Sequence, residues 1–173
     1  KRPDLTAKVI DKDGWFNTGD LGVRTFDNEL KITGRAKDTI VLLGGENVEP
    51  AVLESELLIN DLIESAMVVG QDERSLGALI VPSKENTEDF AKENNIEYES
   101  YEELLKNDFI IQAFDKIIKD SISTPKGFRA CEKIGKFALI PKSFEVGVEL
   151  SAKQEMMRYK IAEEYKDLIK TLF

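Results

Sequence analysis

The sequence predicts a small α+β domain: a short antiparallel or mixed sheet flanked by helices, with a β-hairpin ahead of it. Three observations carry this. Two alternating segments meet at the turn pair Asp27-Asn28. Two aliphatic runs, 63–69 and 76–81, are separated by the polar stretch Gln71-Asp72-Glu73-Arg74. Apolar residues recur at helical spacing near 52–58, 110–118 and 161–172. Strands alternate with helices, but they are too few for a doubly wound sheet.

In chain order, the first segment, to about residue 35, reads as short-stranded and rich in turns. Residues 21–26 alternate, reach Asp27-Asn28 and return over 29–33, which is a hairpin signal. Residues 39–43 read as a strand ended by Gly44-Gly45. From Pro50 the pattern is helical, with Val52, Leu53, Leu57 and Leu58 on one face and Glu54 and Glu56 off it. The two aliphatic runs form a strand pair. Residues 84–123 are a charged, mostly helical insert, in which Ser100 and Glu103 make a capping box. Further along it, Ile110, Ala113, Phe114, Ile117 and Ile118 form an apolar stripe. Pro125-Lys126-Gly127 breaks the helix, and 137–140 is a strand closed by Pro141. After a turn-rich stretch over 144–150, residues 158–173 close the chain as one amphipathic helix facing inward with Ile161, Tyr165, Leu168, Ile169 and Leu172.

Composition narrows the chemistry. The 173 residues carry 24 Lys+Arg against 33 Asp+Glu, a formal charge of −9, and 42% are hydrophobic. That is enough apolar material for a core, and the acidic balance argues against binding a nucleic-acid backbone. No histidine is present, which excludes imidazole bases, Ser-His-Asp triads and His–metal sites. The single cysteine, Cys131, excludes an internal disulfide and Cys-cluster metal sites, and fits a reducing, cytoplasmic setting. The acidic residues of the insert read as a solvated face, since no spacing repeats a calcium loop, and no metal ligands are expected. The apolar runs are far too short to span a membrane. The chain opens Lys1-Arg2-Pro3 without a signal peptide, so we expect a piece of a longer protein.

Three glycine-punctuated segments could carry chemistry. In Thr18-Gly19-Asp20-Leu21-Gly22, a carboxylate at a turn into a strand could accept two hydrogen bonds from a ribose diol; equally, Asp20 could serve only its own turn. In Gly34-Arg35-Ala36-Lys37-Asp38, the planar fork of Arg35 suits phosphate or ribose oxygens and the small residues suit a hinge, against the plainer reading of a solvated charged turn. In Gly44-Gly45-Glu46-Asn47-Val48-Glu49-Pro50, two glycines let a backbone approach a ligand, or merely connect a strand to a helix. Neither phosphate-loop nor dinucleotide fingerprints occur there.

Taken together in this order and spacing, the three segments resemble the adenylate-forming superfamily, which includes acyl-CoA synthetases and peptide-synthetase adenylation domains. Gly14 through Asp20, Gly34-Arg35-x-Lys37-Asp38-x-Ile40, and Gly44-Gly45-Glu46-Asn47-Val48-x-Pro50 with Glu54 carry the match. Lys136–Pro141 (136–141), Phe144, Glu149-Leu150-Ser151 and Tyr165-Lys166-Asp167-Leu168-Ile169 are similar to long-chain fatty acyl-CoA synthetases. The resemblance implies activation of a fatty acid with ATP, accompanied by Mg2+, to an acyl-adenylate, then transfer to coenzyme A. It also implies a small C-terminal domain that swings between the two steps. By matching positions, Asp20 would hold the ribose hydroxyls, Arg35 the ribose–phosphate region and Lys37 the hinge, while Gly44, Gly45 and Glu46 would line the path of the thiol substrate. Residues 1–36 would be the tail of a large N-terminal domain absent here, and 37–173 the mobile domain.

The resemblance also expects a lysine three residues before Arg158, where this chain has Glu155. An acid beside a triphosphate would repel it by about 1–4 kcal/mol at 4 Å. Lys153, two residues earlier on a segment expected to be extended, would face the same way and substitute as the catalytic lysine; the plainer reading is a solvated lysine in a polar loop. Two other functions remain in view: an adenylate ligase that loads a carrier protein, and an interaction or regulatory module of the same fold, which Glu155 favours. The isolated chain is expected to be inactive, its acyl pocket and triphosphate loop lying in the absent part. Peripheral membrane contact stays open, with the acidic surface disfavouring anionic lipid.

Overall fold

The computed structural model describes residues 2–173 and shows a three-layer α+β domain with a hairpin in front of it. The central sheet has the order β5-β6-β7, from Ile63–Val69, Leu76–Pro82 and Ile134–Leu139. β5 and β6 are antiparallel and β6 and β7 parallel, so the sheet is mixed. All seven residues of β6 are buried. Alternation then sorts the strands' side chains to two faces. Ala66, Val68, Leu76, Ala78 and Ile80 join one core with Leu53, Leu57, Leu104, Ile110, Phe114 and Ile118. Met67, Val69, Leu79 and Val81 join the other with Ile140, Phe144, Ile161 and Leu172. The first face is covered by α2 (Pro50–Leu57), α3 (Lys84–Glu93), α4 (Tyr101–Leu104) and α5 (Asp108–Ser121); the second by α6 (Arg158–Glu164) and α7 (Lys166–Lys170). Gly77 makes room for that second layer, because a Cβ there would lie 3.1 Å from both Leu172 Cδ1 and Phe173 Cζ.

Before the sheet come two small ribbons. β1 (Asp20–Arg24) and β2 (Leu30–Arg35) form the expected hairpin, turning through Asn28 at φ 71°, a backbone angle that asparagine tolerates better than most side chains. β3 (Ile40–Val41) pairs with β4 (Asn47–Val48) around the glycine loop, so the strand read over 39–43 shrinks to two residues.

Five details depart from the sequence reading. A helix, α1 (Pro3–Val9), stands in the segment read as short strands; Pro3 and Asp4 favour its first turn, but it buries nothing. Glu54 lies on the buried face of α2 at 5% exposure, whereas Val52 and Leu58 are 42% and 46% exposed. β7 begins at Ile134 instead of 137. The closing helix is two, α6 and α7, broken at Tyr165. The capping box is half as expected: Ser100 Oγ accepts from the Glu103 N–H, but the Glu103 carboxylate accepts from Glu99 N–H.

Candidate functional site

The hairpin register sets Asp20 directly opposite Arg35, and Asp20 Oδ1 lies 3.6 Å from Arg35 Nε. Backbone geometry holds the aspartate in place. Gly19 takes φ 75°, a left-handed angle that suits glycine, while Thr18 Oγ1 accepts from the Asp20 N–H. The pair is half exposed on the arginine side (51%), so its attraction contributes little to stability and both groups remain open to a ligand. They share an open groove of about 750 Å³ with Thr33, Gly34, Ser55 and Glu56, its floor formed by β2 and α2.

A second cavity, of about 290 Å³, adjoins it. Gly34, Arg35, Lys37, Asp38 and Glu49 line it from the N-terminal side, and Glu155, Met156 and Arg158 from the C-terminal side. The structure therefore brings Arg35, Lys37 and the 155–158 segment together, although more than a hundred residues separate them. Glu49 packs against the hairpin at Gly34. Its Oε1 accepts from Thr39 Oγ1 at 2.8 Å, and its Oε2, buried without a partner, sits where a Cβ on Gly34 would come within 2.7 Å. Only glycine fits there undisturbed.

Lys153 is placed differently from the expectation. Residues 151–154 make a tight turn, not an extended run: Gln154 N–H donates to Ser151 O, and Ser151 Oγ accepts from the N–H groups of Lys153 and Glu155. Gln154 adopts φ 62°. Lys153 therefore stands exposed at the tip of the turn, outside the cavity lining, while Glu155 lines the cavity. The alternation that would aim both residues the same way does not apply to a turn.

Gly44, Gly45 and Glu46 line neither cavity and cap the β3–β4 ribbon. Gly45 needs φ 86° to close it, donating to Leu42 O. The turn between β5 and β6 braces one side: Leu43 N–H donates to Glu73 O, and Val41 N–H to Gln71 Oε1. On the other side, Arg129 donates to Asn47 O at 2.7 Å.

One site-defining pair escaped the sequence reading. Glu54 and Arg158 form a salt bridge of 2.6 Å, with side-chain exposures of 7% and 18%. The same two side chains satisfy both backbone groups of Val68 on the outer edge of β5: Val68 N–H donates to Glu54 Oε1, and Arg158 Nη2 donates to Val68 O. Burial pushes the Glu54 carboxyl above its ordinary 4.5, against the opposing pull of Arg158 and the Val68 N–H. Periodicity gave no signal for the pair, since Glu54 falls off the apolar face read for its helix and Arg158 lies 104 residues away. Among the described residues, no group of three or more His, Cys, Asp or Glu is placed to hold a metal ion, and no helix is long and apolar enough to cross a membrane.

A hairpin that faces a carboxylate with an arginine thus stands ahead of a small mixed-sheet domain. The family described as the AMP-binding enzyme C-terminal domain matches residues 37–173, and the chain belongs to it. Among curated relatives, it is 34% identical over its whole length to the probable acyl-activating enzyme 16, chloroplastic, of Arabidopsis thaliana, covering 25% of that protein. It is 36% identical over 93% of its length to the long-chain-fatty-acid–CoA ligase FadD15 of Mycobacterium tuberculosis, covering 27% of it. The adenylation domain of a carboxylate reductase from Mycobacterium chelonae superposes on 99% of the chain with a TM-score of 0.81 at 26% identity, the chain covering 25% of it. The A domain of a carboxylic acid reductase from Segniliparus rugosus, solved with AMP and a co-purified carboxylic acid, gives 0.77 at 26% identity over 99% of this chain and 25% of that one. The chain thus spans about a quarter of the length of these relatives. The resemblance to the adenylate-forming superfamily stands.

Proposed function

We propose that the chain is the C-terminal part of an ATP-dependent, AMP-forming ligase that activates a long-chain fatty acid and passes the acyl group to coenzyme A. The observation that carries this reading is the Asp20–Arg35 pair, opposed across one hairpin beside an open groove, with Arg35 also lining the adjoining cavity that holds Lys37, Glu155 and Arg158. In the first step a carboxylate oxygen attacks the α-phosphorus of ATP and pyrophosphate leaves. Asp20 accepts from the ribose hydroxyls, and Arg35 donates to the ribose–phosphate oxygens. In the second step the thiol attacks the acyl carbon and AMP leaves. Residues 1–36 belong to the larger neighbouring domain, Lys37 is the pivot, and the Gly44-Gly45-Glu46 loop lines the approach of the thiol.

Lys153 completes the reading. Its exposed stem at the turn tip is free to swing towards the cavity and offset the charge of Glu155 beside the phosphates. In the whole protein, acid-dependent ATP–pyrophosphate exchange tests both assignments. Asp20→Ala should raise the KM for ATP about 10- to 100-fold, the equivalent of losing one or two hydrogen bonds to a charged group. Lys153→Ala should lower the exchange rate about 100- to 1,000-fold, the range seen when one charge-stabilising donor is removed. Unchanged exchange in either variant would remove that residue from the site, and no exchange in the unsubstituted protein would favour the non-catalytic module.

A carrier-protein thiol is the second reading for the acceptor. It is favoured by 44% identity over 51% of the chain to the long-chain-fatty-acid–[acyl-carrier-protein] ligase AEE15, chloroplastic, of Arabidopsis thaliana, of which the chain covers 14%. Comparing acyl transfer to coenzyme A with transfer to a phosphopantetheinylated carrier decides between them.

A further inference from the structure

We propose that Arg129 is a positioning residue for the second half-reaction, holding the Gly44-Gly45 loop in shape for the incoming thiol. This rests on the ligase reading above, and nothing in the three glycine-punctuated segments points to position 129.

Arg129 lies just before β7, in the connection after the insert, far in sequence from the loop it touches. Its Nη2 donates to Asn47 O at 2.7 Å, across 82 residues of chain. Asn47 is the first residue of β4, immediately after the turn formed by Gly44, Gly45 and Glu46. Glu132 fixes the guanidinium in that direction: Arg129 Nε donates to Glu132 Oε1 at 2.9 Å, and Glu132 Oε2 accepts the Arg129 N–H at 2.6 Å. Glu132 is held at 17% side-chain exposure while Arg129 remains 55% exposed, so the acid is the anchored member and the arginine the reaching one. The β3–β4 ribbon has only two residue pairs, too few to define a loop by itself. The loop's own bonds, Gly45 N–H to Leu42 O and Leu42 N–H to Glu46 O, are reinforced by brackets on either side: Gln71 and Glu73 on the β3 side, and Arg129 on the β4 side. A planar fork can keep the Glu132 contact and the carbonyl contact together; a single ammonium cannot match that geometry.

The test uses the whole protein and measures the two half-reactions separately, together with cleavage after Glu46 by glutamyl endopeptidase under native conditions. Arg129→Gln should raise the KM for coenzyme A about five- to tenfold, leave ATP–pyrophosphate exchange within twofold of the parent, and speed cleavage after Glu46. Arg129→Lys should fall between the two. An unchanged KM with unchanged cleavage, alongside normal exchange, would overturn the positioning role and leave the ligase reading standing. An equal loss in both half-reactions would assign Arg129 to general stability and overturn it too. Absence of exchange in the parent protein would overturn the ligase reading and this assignment with it.

Discussion

Glu54→Ala should destabilise the domain by about 3–5 kcal/mol in urea or thermal unfolding, the loss expected when one partner of a buried ion pair is removed. The cause is specific. Alanine leaves the Arg158 guanidinium, 18% exposed, without its 2.6 Å partner, and strips the Val68 N–H of its acceptor. With total stabilities of about 5–15 kcal/mol, such a loss is a large fraction of what holds the fold. Glu54→Leu combined with Arg158→Met should cost less than Glu54→Ala alone, because no charge is then left behind. A double variant as unstable as the single one would show that the pair itself contributes net stability.

The pH dependence has a definite sign. Burial raises the folded-state value of Glu54 above its ordinary 4.5, so the folded chain binds that proton more tightly than the unfolded chain does. Its favourable contribution is complete below about 4.5 and is lost as pH rises through the raised value. The stability difference between the parent and Glu54→Gln should therefore shift against the parent between pH 5 and pH 8. A difference that is flat, or moves the other way, would mean that Arg158 outweighs burial.

Phe114→Ala is expected to cost about 3–5 kcal/mol, the range for emptying a buried aromatic site. Phe114 is at 0% exposure, in the same core as Leu53, Val68 and Ala78. The contrast is Phe109 on the same helix, 47% exposed and stacked on Phe90 at 6.0 Å, where alanine should cost less than about 1 kcal/mol. Urea unfolding followed by two probes should show one transition shifted in Phe114→Ala. Two separated transitions would mean that the insert folds as its own unit.

That insert shows what could be read in advance. The spacing of Ile110, Phe114 and Ile118 specifies its buried stripe, because a single helix needs only local periodicity to declare its inner face. The β5–β6 pair and the hairpin at Asp27-Asn28 are local in the same sense. Asp20 and Arg35 could be singled out by type and spacing, and the hairpin register then opposes them. What escaped depends on partners remote in sequence. Glu54 reads as a solvent-facing acid until Arg158, 104 residues away, comes to it. The turn that displaces Lys153 is closed by the Ser151 hydroxyl, which leaves no periodic trace. The short α1 lacks an apolar stripe, and β7, pairing parallel to β6, carries Gly135 and Lys136 that mask its start.

The plugging of Val68 reaches beyond a single molecule. An outer strand as apolar as β5 would ordinarily invite another chain to zip alongside it. Here, midway along that flank, a side-chain carboxylate and a guanidinium already occupy the amide and the carbonyl that a stranger would need. The fold guards against fibril-like self-association with the same two residues that lock its first helix layer to its last.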